Sequence, residues 1–175
     1  MSHECRVQVP LIDLLCDYGA DPDSAMHAAA LHHELESVNA LIRRGARIDL
    51  PVATALGRIQ DARVLLPAAS PEDRHLAFAL ASDLGHVEIV RLLLDAGEDP
   101  NRYNPVGGHS HTTPVHQAAG AGHEEVVRLL VERGARLDMK DILWQATPEG
   151  WARRTGKTAV EAYLRSQAIK SGKQG

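Results

Sequence analysis

Aromatic side chains are scarce in this sequence: two tryptophans, three tyrosines and one phenylalanine among 175 residues. A core for a chain of that length must come from aliphatic side chains and alanine, and the 44% hydrophobic content supplies them. Cysteine is just as rare. Cys5 and Cys16 make no disulfide framework, and Cys16, inside Leu14-Leu15-Cys16, reads as a small core residue rather than a reactive thiol. No apolar run approaches the roughly 18 residues that a membrane span needs, and no charged segment followed by an apolar one marks a signal peptide. An excess of either charge is also lacking, since 19 Lys+Arg stand against 23 Asp+Glu for a net charge of −4. Basic residues never run beyond the pairs Arg43-Arg44 and Arg153-Arg154. Neither nucleic acid nor membrane is therefore an expected partner, and the cytoplasm is the expected compartment.

What is present is repetition. A pair of aliphatic residues followed by glycine recurs as Leu14-Leu15…Gly19-Ala20, Leu41-Ile42…Gly45-Ala46, Leu92-Leu93…Gly97 and Leu129-Leu130…Gly134-Ala135. An upstream half recurs with it: Met26-His27-x-Ala29-Ala30 matches Val115-His116-x-Ala118-Ala119. The stretch from Thr113 is the fullest example. Thr113 is placed to cap a first helix through its hydroxyl, and Pro114 at the first helical position sacrifices no hydrogen bond. Gly122 turns the chain, Glu124-Glu125 suit the positive end of a second helix, and Val126, Val127, Leu129 and Leu130 form one apolar stripe. Gly134 fits the left-handed position that ends such a helix.

A unit of about 33 residues with a Thr-Pro-Leu-His-x-Ala-Ala signature resembles the ankyrin repeat. The resemblance implies an all-α solenoid of stacked helix pairs with short hairpin loops. It extends over one expected domain, 1–169: a half repeat at 7–23, units at 24–49, 50–69 (shortened), 70–108 and 109–141, a terminal cap at 142–169, and a flexible tail at 170–175. The first unit is a second helix without a first. The chain is therefore expected either to extend upstream of Met1 or to self-associate through that uncovered flank. After Val64-Leu65 no Gly-Ala-Asp follows, so no full hairpin is expected there; Ser70-Pro71-Glu72-Asp73 starts the next helix with cap, proline and acidic first turn in order. The longest connection, Asp99 to His111, stretches the spacing from Gly97 to Gly134 to 37 residues. Insertions in such arrays fall at loop tips, often on the binding side.

Ten histidines raise the question of chemistry. By resemblance, His27 and His116 bond the hairpin backbone, and His86 and His123 are framework as well. His32-His33 fall in a turn. His109 and His111 are the one pair placed to converge on a loop, but no Cys accompanies them and no carboxylate lies between Asp99 and Glu124, so no metal and no cofactor is expected. No nucleophile elbow, Cys-His pairing or phosphate loop is present, and no catalytic residue is assigned. The expected function is a non-enzymatic protein–protein interaction module. Its groove of first helices and hairpin tips would bind a protein partner of unknown identity through Arg102, Tyr103, Asn104, His109, His111, Lys140 and Trp144, with Met139 and Leu143 beside them. Trp, Tyr and Arg are the types that dominate interface energetics. The rival expectation is an enzyme or small-ligand protein with a pocket under the 99–111 loop, using Asp99, His109 and His111.

Overall fold

The computed structural model describes residues 5–32 and 34–171. His33 and the end of the expected tail from 172 lie outside the described residues, as do residues 1–4. The described residues form helices and turns, without strands. They divide into two compact units, one up to Ala69 and the other from Ser70.

The first unit holds α1 (Cys5–Asp17), α2 (Met26–Leu31), α3 (Leu35–Arg43), α4 (Leu50–Ala55) and α5 (Ile59–Leu65). α3 packs against both α1 and α2, and α2 also meets α4. Every residue of α4 is buried, with Leu50, Val52 and Ala53 at its heart. The Asp49 carboxylate caps that helix by accepting the Val52 N–H at 3.0 Å, ahead of Pro51 in the first turn. Arg44 ties α1 down: its Nε donates to Asp13 Oδ1 at 2.8 Å and its Nη1 to Asp17 Oδ1 at 2.7 Å. The outer flank of α1 stays open, with Leu11, Leu14 and Leu15 exposed by 48%, 52% and 50%. α5 runs into a short turn at Leu66–Ala68 with no hairpin beyond it.

The second unit is two helical layers. α6 (Pro71–Leu84), α8 (Pro114–Ala121) and α10 (Pro148–Arg154) pack side by side; α7 (Val87–Asp95), α9 (Glu124–Glu132) and α11 (Thr158–Ser171) form the second layer. Ala77, Ala81, Ala118, Ala119 and Ala152 are fully buried, and their short side chains let the first layer close up. Ile89, Val90, Leu93, Val126, Val127, Leu129 and Leu130 fill the space beneath. Ser70 caps α6 as expected, its hydroxyl accepting the Asp73 N–H at 3.0 Å.

Two glycines in this unit are fixed by close approach. Gly85 ends α6 at φ +77°, and a Cβ there would lie 2.6 Å from the His123 ring, whose Nε2–H donates to the Asp83 carbonyl at 2.8 Å. Gly120 admits Trp151, since a Cβ would lie 2.8 Å from the indole.

The histidines are used differently from one unit to the other. His116 is fully buried and donates from Nε2 to the Ala146 carbonyl at 3.2 Å, bonding the neighbouring hairpin as expected. The Thr113 hydroxyl turns to His116 Nδ1 at 2.7 Å. His27 instead faces the Asp49 carboxylate and stays half exposed. Ser24, the counterpart of Thr113, lies in the turn at Pro22–Ala25 and donates its hydroxyl to the Asp21 carbonyl at 2.7 Å, so it does not draw the His27 ring inward.

Candidate partner-binding surface

The long connection between α7 and α8 is stitched to its surroundings at every stage. Asn101 Oδ1 accepts the Arg136 N–H at 2.7 Å while its amide donates to the Gly134 carbonyl at 3.1 Å, linking this tip to the next. The same device appears in the first unit, where Asp23 Oδ1 accepts the Arg47 N–H at 2.7 Å. Tyr103 is held at both ends: buried His75 donates from Nε2 to its carbonyl at 2.8 Å, and its hydroxyl donates to the Lys140 carbonyl at 2.7 Å. Asn104 closes the loop on Thr112, N–H to carbonyl at 2.8 Å and side-chain amide to hydroxyl at 3.2 Å. The Gln117 amide adds a bond to that hydroxyl at 2.9 Å. Asn104, expected at the partner surface, is therefore inside the loop at 3% exposure.

The rival reading needs an open space beneath this loop. Asn104, Thr112, Thr113 and Gln117 occupy the interior, and buried Gly108 sits close enough to α6 that a Cβ would lie 3.3 Å from that of Ala79. Asp99 accepts the Asn101 N–H at 2.8 Å, and the His109 and His111 rings meet edge to face with centroids 6.1 Å apart. Among the described residues no group of three His, Cys, Asp or Glu side chains could hold a metal ion.

The next tip is organised by one carboxylate that the sequence reading passed over. Asp141 is fully buried and accepts four hydrogen bonds: from the N–H groups of Leu143 (2.9 Å), Trp144 (2.6 Å) and Ala146 (2.9 Å), and from Trp151 Nε1 (3.0 Å). Burial pushes its carboxyl up, but the combined donors outweigh burial and hold it below the usual carboxylate range. Asp followed two and three residues later by the N–H groups it accepts is an Asx-type turn, the signal that could have found it. Gln145 takes left-handed backbone at φ +54°, costing about 1–2 kcal/mol for a residue with a Cβ. Its side-chain amide offsets this by donating to the Asp141 and Ile142 carbonyls at 3.2 and 3.3 Å.

The two tips are joined. Ile142 N–H donates to the His111 carbonyl at 2.9 Å, and the His111 ring packs edge-on against Trp144 at 5.4 Å between centroids and tilted against Trp151 at 6.1 Å. Trp144 and Trp151 meet at 5.4 Å. This frame leaves Arg102, His109, Lys140, Ile142, Leu143 and Trp144 exposed, Tyr103 and His111 partly so, and Asn104 covered.

Buried His116 lies under this face, 6.1 Å from Trp151 ring to ring. Burial lowers its pKa below the ordinary histidine value, against the raising effect of the Ala146 carbonyl and Asp141. The neutral ring suits the site, because Nδ1 must keep a lone pair for Thr113 while Nε2 donates.

A family model for ankyrin repeats, in three copies, matches residues 50–141, more than half of the chain. The chain belongs to the ankyrin-repeat family. This ankyrin-repeat protein is also similar to cyclin-dependent kinase 4 inhibitor B of Bos taurus, with 34% identity over 128 residues that cover 71% of the chain and 95% of the relative. Cyclin-dependent kinase inhibitor 2A of Homo sapiens is 32% identical over 123 residues, 68% of the chain and 76% of the relative. Transient receptor potential channel pyrexia of Drosophila melanogaster is 28% identical over 125 residues, only 11% of its length. The repeats of this chain make a protein-binding module. Among the described residues no helix is long and apolar enough to cross a membrane.

Proposed function

We propose that this ankyrin-repeat protein binds a protein kinase in the cytoplasm through the face built by the long loop and the following tip, with residues 1–169 acting as one binding domain. Arg102, Tyr103, His109, His111, Lys140 and Trp144 carry the contact, Arg102 and Lys140 as charged reach and Trp144 as the apolar anchor. The observation that supports this most is the Ile142–His111 backbone bond, which makes one preorganised surface of two tips. Preorganisation reduces the ordering entropy lost on binding. The kinase partner rests on the similarity to the cyclin-dependent kinase inhibitors, which runs over 95% of the length of one of them.

Biolayer interferometry with immobilised human cyclin-dependent kinase 4 tests the reading. We expect the full chain to bind and an Arg102→Ala/Lys140→Ala variant, with unchanged melting temperature, to bind at least about tenfold more weakly, as loss of interface anchors predicts. Equal affinities would move the contact elsewhere. No binding by the wild type would overturn the kinase partner.

The half-exposed Leu11, Leu14 and Leu15 favour a second reading, self-association through α1. Sedimentation velocity should then show a concentration-dependent dimer that a Leu11→Glu/Leu15→Glu variant abolishes; a monomer at all concentrations rejects it.

A further inference from the structure

The strongest unassigned feature is a cavity of about 150 Å3 on the last unit, lined by Trp144, Ala146, Gly150, Trp151, Arg154 and Thr155. That is the volume a benzene-sized group fills. Its walls are almost wholly apolar, yet a cation stands at its rim: the Arg154 guanidinium lies 5.1 Å from the centre of the Trp144 ring. Arg154 is exposed, and among the described residues it is in no ion pair. The nearby acids are committed elsewhere, Glu149 to Arg165 and Asp141 to its four donors.

Gly150 is a second and independent sign. It lies inside α10, where glycine is less favourable than alanine. Packing does not demand it, because a Cβ there would meet Ala146 Cβ at 3.4 Å and Thr147 Oγ1 at 3.7 Å, both ordinary contacts. Gly150 lines the same cavity, and an added methyl would lie against Ala146, another of its walls. Asp141 holds two of the other walls, bonding the Trp144 backbone and the Trp151 indole.

We infer that this cavity takes one bulky apolar side chain of a partner's segment, with neighbouring carboxylates held by Arg154. The inference rests on the protein-binding reading and names a peptide chemistry for one part of its surface. An acidic–apolar segment satisfies both halves of the site: the ring or branched side chain fills the cavity beside the touching indoles, and the acids meet the Arg154 cation, which faces solvent. A basic segment would place like charge against Arg154.

Both tryptophans of the chain line the cavity, so intrinsic fluorescence reports its occupancy directly. The probes are three eight-residue blocked peptides: one phenylalanine followed by three aspartates, the same with three lysines, and the same with alanine for phenylalanine. Only the phenylalanine–aspartate peptide should shift the emission in a saturable titration. Arg154→Glu should reverse the preference toward the lysine peptide. Gly150→Ala should weaken binding at least threefold with a melting temperature equal or higher. Equal response to the acidic and basic peptides, indifference to Arg154→Glu, or no saturable binding would overturn the inference. Because Arg102 and Lys140 lie outside the cavity, kinase binding that survives Gly150→Ala and Arg154→Glu while the peptides fail would leave the protein-binding reading standing and this one refuted.

Discussion

At the scale of single residues, the polar groups that matter most are buried ones with several partners. Asp141 is the clearest case, because four donors converge on a carboxylate with no access to water. Asp141→Ala should destabilise the protein by about 2–4 kcal/mol, since it orphans donors and frees the strained Gln145 turn. Urea unfolding followed by circular dichroism would measure it, and a loss below 1 kcal/mol would contradict the hub. His116 sets the pH response. Its folded pKa lies below the unfolded value of 6.5, so the folded state favours the neutral ring. Its contribution is therefore complete above pH 6.5 and is lost progressively as pH falls below that value toward the folded pKa. Asp141 acts in the same direction further down: its stabilisation is present above 3.8 and is lost as pH falls below. Urea midpoints measured through this range should fall from pH 6.5 downward, and the upper part of that fall should shrink in His116→Gln.

At the scale of elements, the second helices are held by their apolar stripes. Leu129 is 3% exposed at the centre of α9, so Leu129→Ala should cost about 2–5 kcal/mol. Glu125, exposed in the first turn, contributes under about 1 kcal/mol through the helix dipole, and Glu125→Ala should barely move the denaturation midpoint. Turn glycines separate in the same way. Gly45 and Gly85 both have positive φ, but a Cβ at Gly45 meets nothing within 4 Å whereas at Gly85 it strikes the His123 ring. Gly45→Ala should cost about 1–2 kcal/mol, the left-handed penalty alone. Gly85→Ala should cost clearly more, because the imidazole must move and give up its bond to the Asp83 carbonyl. Equal thermal shifts for the two variants would show that the His123 contact yields freely.

At the scale of the whole molecule, repeat proteins gain stability from each unit and its neighbours, so stability need not be uniform along the chain. The first unit is built from helices of six to nine residues after α1, and α1 leaves three leucines half exposed. The second unit has the fourteen-residue α6 and a continuous pair of helical layers. Hydrogen exchange should therefore be faster in α1 to α5 than in α6, α8 and α9. Uniform protection across both would mean that the chain opens only as a whole.

Repetition made the architecture legible before any coordinates. The paired aliphatics, the glycines after them and the Thr-Pro and Ser-Pro starts are local signals, each decided by backbone geometry within a few residues. They sufficed for the stacked helix pairs and the exposed flank of α1. The length of the 99–111 insertion likewise pointed to the tip where Arg102 and Tyr103 stand. Contacts between tips were beyond such signals. That Ile142 bonds the His111 carbonyl and that the His111 ring meets Trp144 and Trp151 beside a cavity depend on groups brought together by stacking, whereas Asn104 and Asp141 find their hydrogen-bond partners within about ten residues. Burial decides which polar side chain finds partners and which ring stays exposed, and burial is set by the neighbouring repeat rather than by a residue's own segment.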